Sequence, residues 1–192
     1  VALNYSTDER TVGLRFRRLY IPQGATITSA RIQFRASNTD SANLNLDISA
    51  DLSPNTPVYQ ATASNISGRT QTTAVVNWNS VHSWTSGTYY DTPDITAVLQ
   101  EVVNQSGWCY GNAAAFTFKR QGGLTGTRSF YAYDTYNGSS FSSPVTALIV
   151  TYNPSTVPSS STCSQIVAQV SASSDDAEER TNGNMVLTGN VS

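Results

Sequence analysis

The chain has 192 residues, enough for one domain with or without a tail, and a chain of this length buries roughly 70% of its unfolded surface without help from a metal. Only 12% of residues are charged and the net charge is −2, with ten Arg and a single Lys, Lys119. That excludes duplex nucleic acid as a partner, because such a partner needs a cluster of cations against its phosphates. One His and two Cys exclude multi-His zinc sites and Cys-rich clusters.

No apolar run reaches the roughly 18 residues of a membrane span. Fifty Ser and Thr beside one Lys point to an extracellular or cell-surface setting, where hydroxyls and amides rather than charges keep the chain in solution.

The first element in chain order is residues 12–20, where Val12, Leu14 and Phe16 alternate with Arg15 and Arg17, the pattern of a half-buried strand. A Pro-Gln-Gly turn follows at 22–24. A second strand runs from Ile27, with Ala30, Ile32, Phe34 and Ala36 inward. Asn43 to Asp51 alternates again, and Val58 to Ala63 and Ala74 to Trp78 are further strand candidates. Residues 92–105 predict a helix: Thr92 caps it, Pro93 sits in the first turn, Ile95, Val98, Leu99, Val102 and Val103 form the stripe, and Gly107 ends it. Ala113 to Lys119, Ser129 to Asp134 and Val145 to Tyr152 complete a body of short strands, which predicts an all-β, antiparallel, jelly-roll-like β-sandwich with one short helix.

The texture changes after Tyr152. A Pro/Ser-rich linker is expected over 153–165, then a C-terminal extension over 166–192. In it Ile166 to Ser171 alternates, Ser173 to Arg180 is acidic, 181–184 is a turn, and Met185, Val186 and Leu187 form a short strand. Two strands alone are marginal in water, so these need a sheet to join.

The run VGLRFRRLYIPQGATITSARIQF, from Val12 to Phe34, resembles a DNRLRE-like β-sandwich module of bacterial surface proteins. SGRTQTTAVVNW (67–78), the helix segment 92–108, GNAAAFTF (111–118), SFYAYD (129–134) and PVTALIVTY (144–152) extend the resemblance over most of 12–152. Such modules look like carbohydrate-binding jelly rolls. They recur in large adhesins, glycan-active enzymes and pilus-tip proteins of the PilY kind. The aromatic stretch 79–91 and the two cysteines depart from the pattern.

In that family a stretch like SSDDAEE, a turn and a strand precede the "LRF" strand. Here residues 173–192 resemble that leading stretch, at the opposite end of the chain. Joining the end to the start restores the family order, which implies one period of a head-to-tail arrangement. Identical modules then follow one another in one polypeptide, or separate subunits donate C-terminal strands to their neighbours, with Val167, Val170, Val186 and Leu187 as the inserted side chains. The alternative is a tail that folds back on its own body. The resemblance thus implies a non-enzymatic structural or adhesive module of an extracellular filament, pilus or adhesin, or else a carbohydrate-binding module.

The remaining candidates each carry two readings. Cys109 and Cys163 either form a disulfide closing a loop of about 55 residues, worth about 3–4 kcal/mol, or are free thiols. Asp175, Asp176, Glu178 and Glu179, with Asp8 and Glu9 from the other end, are hard oxygen ligands suited to a structural calcium, or else a solvated acidic turn. Trp84, Tyr89, Tyr90 and His82 form either a glycan-stacking platform or packing. His82 has no oriented partner that would make it a catalytic base. Spacing alone does not make Asp91 and Asp94 a catalytic carboxylate pair.

Overall fold

The structure is a computed structural model; it describes residues 1–3, 10–132, 146–153, 164–169 and 176–187, without the side chains of 164–169, 176, 186 and 187. The strands are β1 (Arg10–Leu19), β2 (Thr26–Arg35), β3 (Leu46–Ala50), β4 (Val76–Trp78), β5 (Tyr89–Asp91), β6 (Asn112–Arg120), β7 (Thr146–Asn153), β8 (Ser164–Gln169), β9 (Asp176–Arg180) and β10 (Met185–Leu187), and helix α1 spans Thr96–Val103. They form two antiparallel sheets, one of six strands in the order β10-β9-β1-β6-β3-β4 and one of four in the order β5-β2-β7-β8. The all-β sandwich with one short helix is therefore as expected.

Alternating side chains from the two inner faces make the core. Val12, Leu14, Phe16, Ile48, Phe116 and Phe118 come from the larger sheet, and Ala30, Ile32, Phe34, Leu148 and Val150 from the smaller. Phe34 is the hub of its aromatic part, with the rings of Phe130, Trp84 and Phe118 at 4.8, 5.6 and 5.6 Å. Edge-to-face and offset contacts of this kind add to simple area burial.

The alternation of β1 breaks once. Its register against β6 shifts between Phe16 and Leu19, and Arg18 in that gap takes φ 56°, a left-handed conformation uncommon for a residue with a Cβ. The bulge reverses the strand's parity, so that Phe16 and Leu19, three residues apart, both face the core.

The helix is shorter than its sequence pattern. Thr92 N donates to Ile32 O and Ile95 N to Ala30 O, both at 2.8–2.9 Å, and the Thr92 hydroxyl accepts from Ile32 N. Residues 92–95 therefore extend the edge of β2 and are not free to coil. The helix stripe is buried as expected. Glu101 on its outer side accepts from Thr73 N and Ala74 N, both at 2.9 Å, tying α1 to the approach to β4.

Three further segments differ from expectation. Val58 to Ala63 is not a strand but part of a loop lying over the outer face of the larger sheet. Of the segment from Ser129, the described residues 129–132 make only single bridges, Ser129 to Ala2 and Phe130 to Ala36. β5 pairs with β2 at Gln33, Phe34 and Arg35, within the aromatic stretch 79–91, where no strand is expected. The C-terminal strands join the sheets of the same chain: β8 pairs with β7 over six residues and β9 with β1 over five.

The hydrogen bonds from Ala74 N, then Thr73 N, hold the Glu101 carboxyl below its usual 4.5. A depressed carboxylate gives stability that is complete above the ordinary value and is lost as pH falls through the depressed one. Melting curves from neutral pH to about pH 3 should show wild type above Glu101→Gln at neutral pH and the two converging in acid.

Candidate functional site: the seat of the C-terminal hairpin

β9 and β10 form a hairpin across the 181–184 turn, with Gly183 at φ 79°, the conformation glycine adopts at least cost. The hairpin sits on β1, and two adjacent glutamates hold it. Successive residues of a strand point to opposite faces, so Glu178 and Glu179 face opposite ways. Glu178 lies opposite Val12, on the core side. There it accepts a hydrogen bond from Ala2 N at 3.2 Å and pairs with the Arg10 guanidinium. Glu179 lies opposite Thr11, on the outer side. It accepts from Ile66 N and Ser67 N, each at 2.8 Å, and from the Ser67 hydroxyl. Both side chains are buried, at 2% and 4% exposure.

These contacts decide the acidic cluster. Glu178 and Glu179 do not share a cation, since they lie on opposite faces and each is already satisfied by its own donors. Neither do they belong to a solvated turn. Asp175, Asp8 and Glu9 lie outside the described residues, as does the side chain of Asp176. Among the described residues no three His, Cys, Asp or Glu side chains gather as a metal site.

A second small core sits under the hairpin on the outer face. Tyr59 and Ile66 of the covering loop pack with Ala115 of β6 and Ala177 of β9, with Met185 beside them. Gly13 makes this approach possible: a Cβ there would lie 2.4 Å from the Tyr59 hydroxyl oxygen. Arg69 fastens the loop, with its guanidinium 4.4 Å from the Tyr59 ring centroid and donating to Asn65 O, Pro57 O and Val58 O. The tip closes on the same loop, Ser64 N donating to Gly183 O at 2.8 Å. Arg15, expected outside, is buried because this loop covers it, and its Nε donates to Thr56 O at 2.7 Å.

Beyond the covering loop the outer face of the sheet is open. Two adjoining cavities of about 270 and 260 Å³ share Thr11, Ser67 and Lys119. Their floor is set by strand register: Glu179, Thr11, Lys119 and Asp47 stand directly opposite one another on β9, β1, β6 and β3.

The expected aromatic platform is not one surface. Trp84 is fully buried, stacked on Tyr90 at 5.2 Å and packed against Phe34. Tyr89 and Tyr90 are successive residues of β5 and point opposite ways. Tyr89 is exposed near Arg35, whereas the Tyr90 hydroxyl accepts from Thr85 N. His82 is exposed, 5.6 Å from the Tyr90 ring. The exposed aromatic pair is instead Tyr20 and Tyr110, with ring centroids 4.9 Å apart, a contact across ninety residues that periodicity does not reveal.

Cys109 is exposed beside Tyr110; Cys163 and Val170 lie outside the described residues. Val167, Val186 and Leu187 stand on β8 and β10. Asp91 is bound by Arg31 at 2.9 Å and by Gln33, while Asp94 accepts from Thr96 N. No family model, curated protein or solved structure matches the chain.

Replacing Glu178 or Glu179 by Ala strands buried donors and should cost about 2–4 kcal/mol in denaturant unfolding. Because both hold one hairpin, the double variant should cost clearly less than the sum.

Proposed function

We propose that the chain is a non-enzymatic structural module of an extracellular filament or large surface adhesin, joined head-to-tail through its C-terminal strands. One observation carries this reading. The strands after Asn153 fill edge positions in both sheets, β8 beside β7 and the β9–β10 hairpin beside β1, and the hairpin is held by its own Glu178 and Glu179 side chains as well as by backbone pairing. In the single chain these seats are filled by its own strands. A second copy offers the same strands, and exchanging an identical element keeps every contact of the seat, so that the exchange propagates from copy to copy. The same seats serve successive modules of one polypeptide and separate subunits alike. The paucity of Lys and the abundance of Ser and Thr support the extracellular setting.

The test compares the full chain with one ending at Asn153, each refolded at high concentration and sized by chromatography with light scattering. The expected result is open-ended oligomers for the full chain and a less stable monomer for the shortened one. A full chain that stays monomeric after refolding at every concentration overturns the proposal.

A further inference from the structure

The tip of the β9–β10 hairpin carries a chemically reactive pair. Asn182 is followed by Gly183, and a glycine puts no side chain in the way of its own backbone nitrogen. In such a pair that nitrogen readily attacks the side-chain amide carbon of the asparagine. Asn182 is exposed to water, yet the seated turn engages both reacting groups. Gly183 N donates to Arg180 O at 2.8 Å, and Asn182 Oδ1 accepts from Asn184 N at 3.0 Å. The turn is also clamped from outside. Gly183 is buried, its carbonyl accepts from Ser64 N at 2.8 Å, and a Cβ on it would lie 2.8 Å from Ser64 Oγ. The chain's other Asn-Gly pair, Asn137 with Gly138, lies outside the described residues.

We infer that Asn182 is a modification site, a deamidation site that the seated hairpin holds closed and that reacts once the hairpin leaves its seat. In the released turn the Gly183 nitrogen gives its proton to hydroxide and bonds to Cγ of Asn182. The bond from Cγ to the side-chain nitrogen breaks, and that nitrogen takes a proton from water and leaves as ammonia. Water then opens the cyclic succinimide, at the side-chain carbonyl to give aspartate or at the backbone carbonyl to give isoaspartate. The sum consumes water and releases ammonia, with nothing oxidised or reduced. Isoaspartate routes the backbone through the side chain and adds an atom between residues 182 and 183. Gly183 then no longer meets Arg180 O and Ser64 N together, so the converted hairpin returns poorly to its seat. The inference rests on the seat itself and not on strand exchange between copies.

The test incubates the full chain in mildly alkaline buffer and follows the tryptic peptide that begins at Thr181, after Arg180, by mass and by retention, which separates isoaspartate from aspartate. Asn182 should convert more slowly in the folded chain than in the same chain in denaturant, by about tenfold or more, because only the open fraction reacts. Glu179→Ala, which removes the clamp on residues 66 and 67, should raise the folded-state rate about tenfold or more. Glu179→Gln, which keeps an oxygen acceptor, should raise it less. Where Glu179→Ala does not fold, Ser67→Ala, which removes the hydroxyl donor to Glu179, takes its place. Val98→Ala leaves a cavity under α1; it weakens the body without touching the seat and should leave the rate unchanged. The purified isoaspartate chain should exchange its backbone amide hydrogens over 177–187 faster than the unconverted chain. Equal rates in the folded and denatured chain, a rate unmoved by loosening the Glu179 clamp, equal acceleration by Val98→Ala, or unchanged exchange in the isoaspartate chain overturns the inference.

Discussion

The pairing of β9 with β1 is the contact on which much of the larger sheet depends. β1 is flanked by β6 on one side; on the other its N–H and C=O groups need a partner or water. β9 supplies that partner, and with it come two carboxylates that reach opposite faces of the sandwich. The inward one draws in Arg10 and the backbone of Ala2, so the first residues of the chain are held where they close over the core. The outward one clamps residues 66 and 67, and so fixes the loop whose Tyr59 and Ile66 cover the outer face. Backbone pairing alone would leave the N-terminal strap to its bridge with Ser129 and the covering loop to Arg69 and Arg15.

The covering loop in turn sets the limits of the two outer-face cavities. Where Tyr59 lies on Gly13 the outer face is closed and apolar. One step along the same strands, at Thr11, Lys119 and Asp47, it is open and polar. Six successive residues of β6, Ala113 to Phe118, are therefore buried, although only alternate ones face the core. The boundary between covered and open sheet lies within single strands.

Much of the body was legible in the apolar pattern of single strands. β1, β2 and β3 fall where Val12, Ile32 and Ile48 alternate with polar neighbours, β6 where Phe116 and Phe118 flank Thr117, and β7 on the continuous apolar run from Ala147 to Val150. The helix was found from its stripe and overextended, because its first residues hydrogen-bond to β2, a partner about sixty residues away that local pattern does not reveal. β5 has only three residues and no room to show a period. The hairpin seat was misread for a related reason. Four carboxylates in a run look solvated in isolation, and the donors that bury Glu178 and Glu179 lie more than a hundred residues upstream. Trp84 was similarly opaque, since an aromatic in a polar stretch reads alike whether it faces water or Phe34.

The long reach of these contacts bears on the order of folding. Arg10 and Glu178 are separated by 168 positions, so this edge of the sheet closes only after the residues between them have been made. Contacts of such sequence separation form late. Until then β1 presents an unfilled edge to its surroundings. The chain's own hairpin, tethered to the body, meets that edge at a high effective concentration. The speed of that closure is then set by the length of chain between β7 and β9 as much as by the contacts themselves.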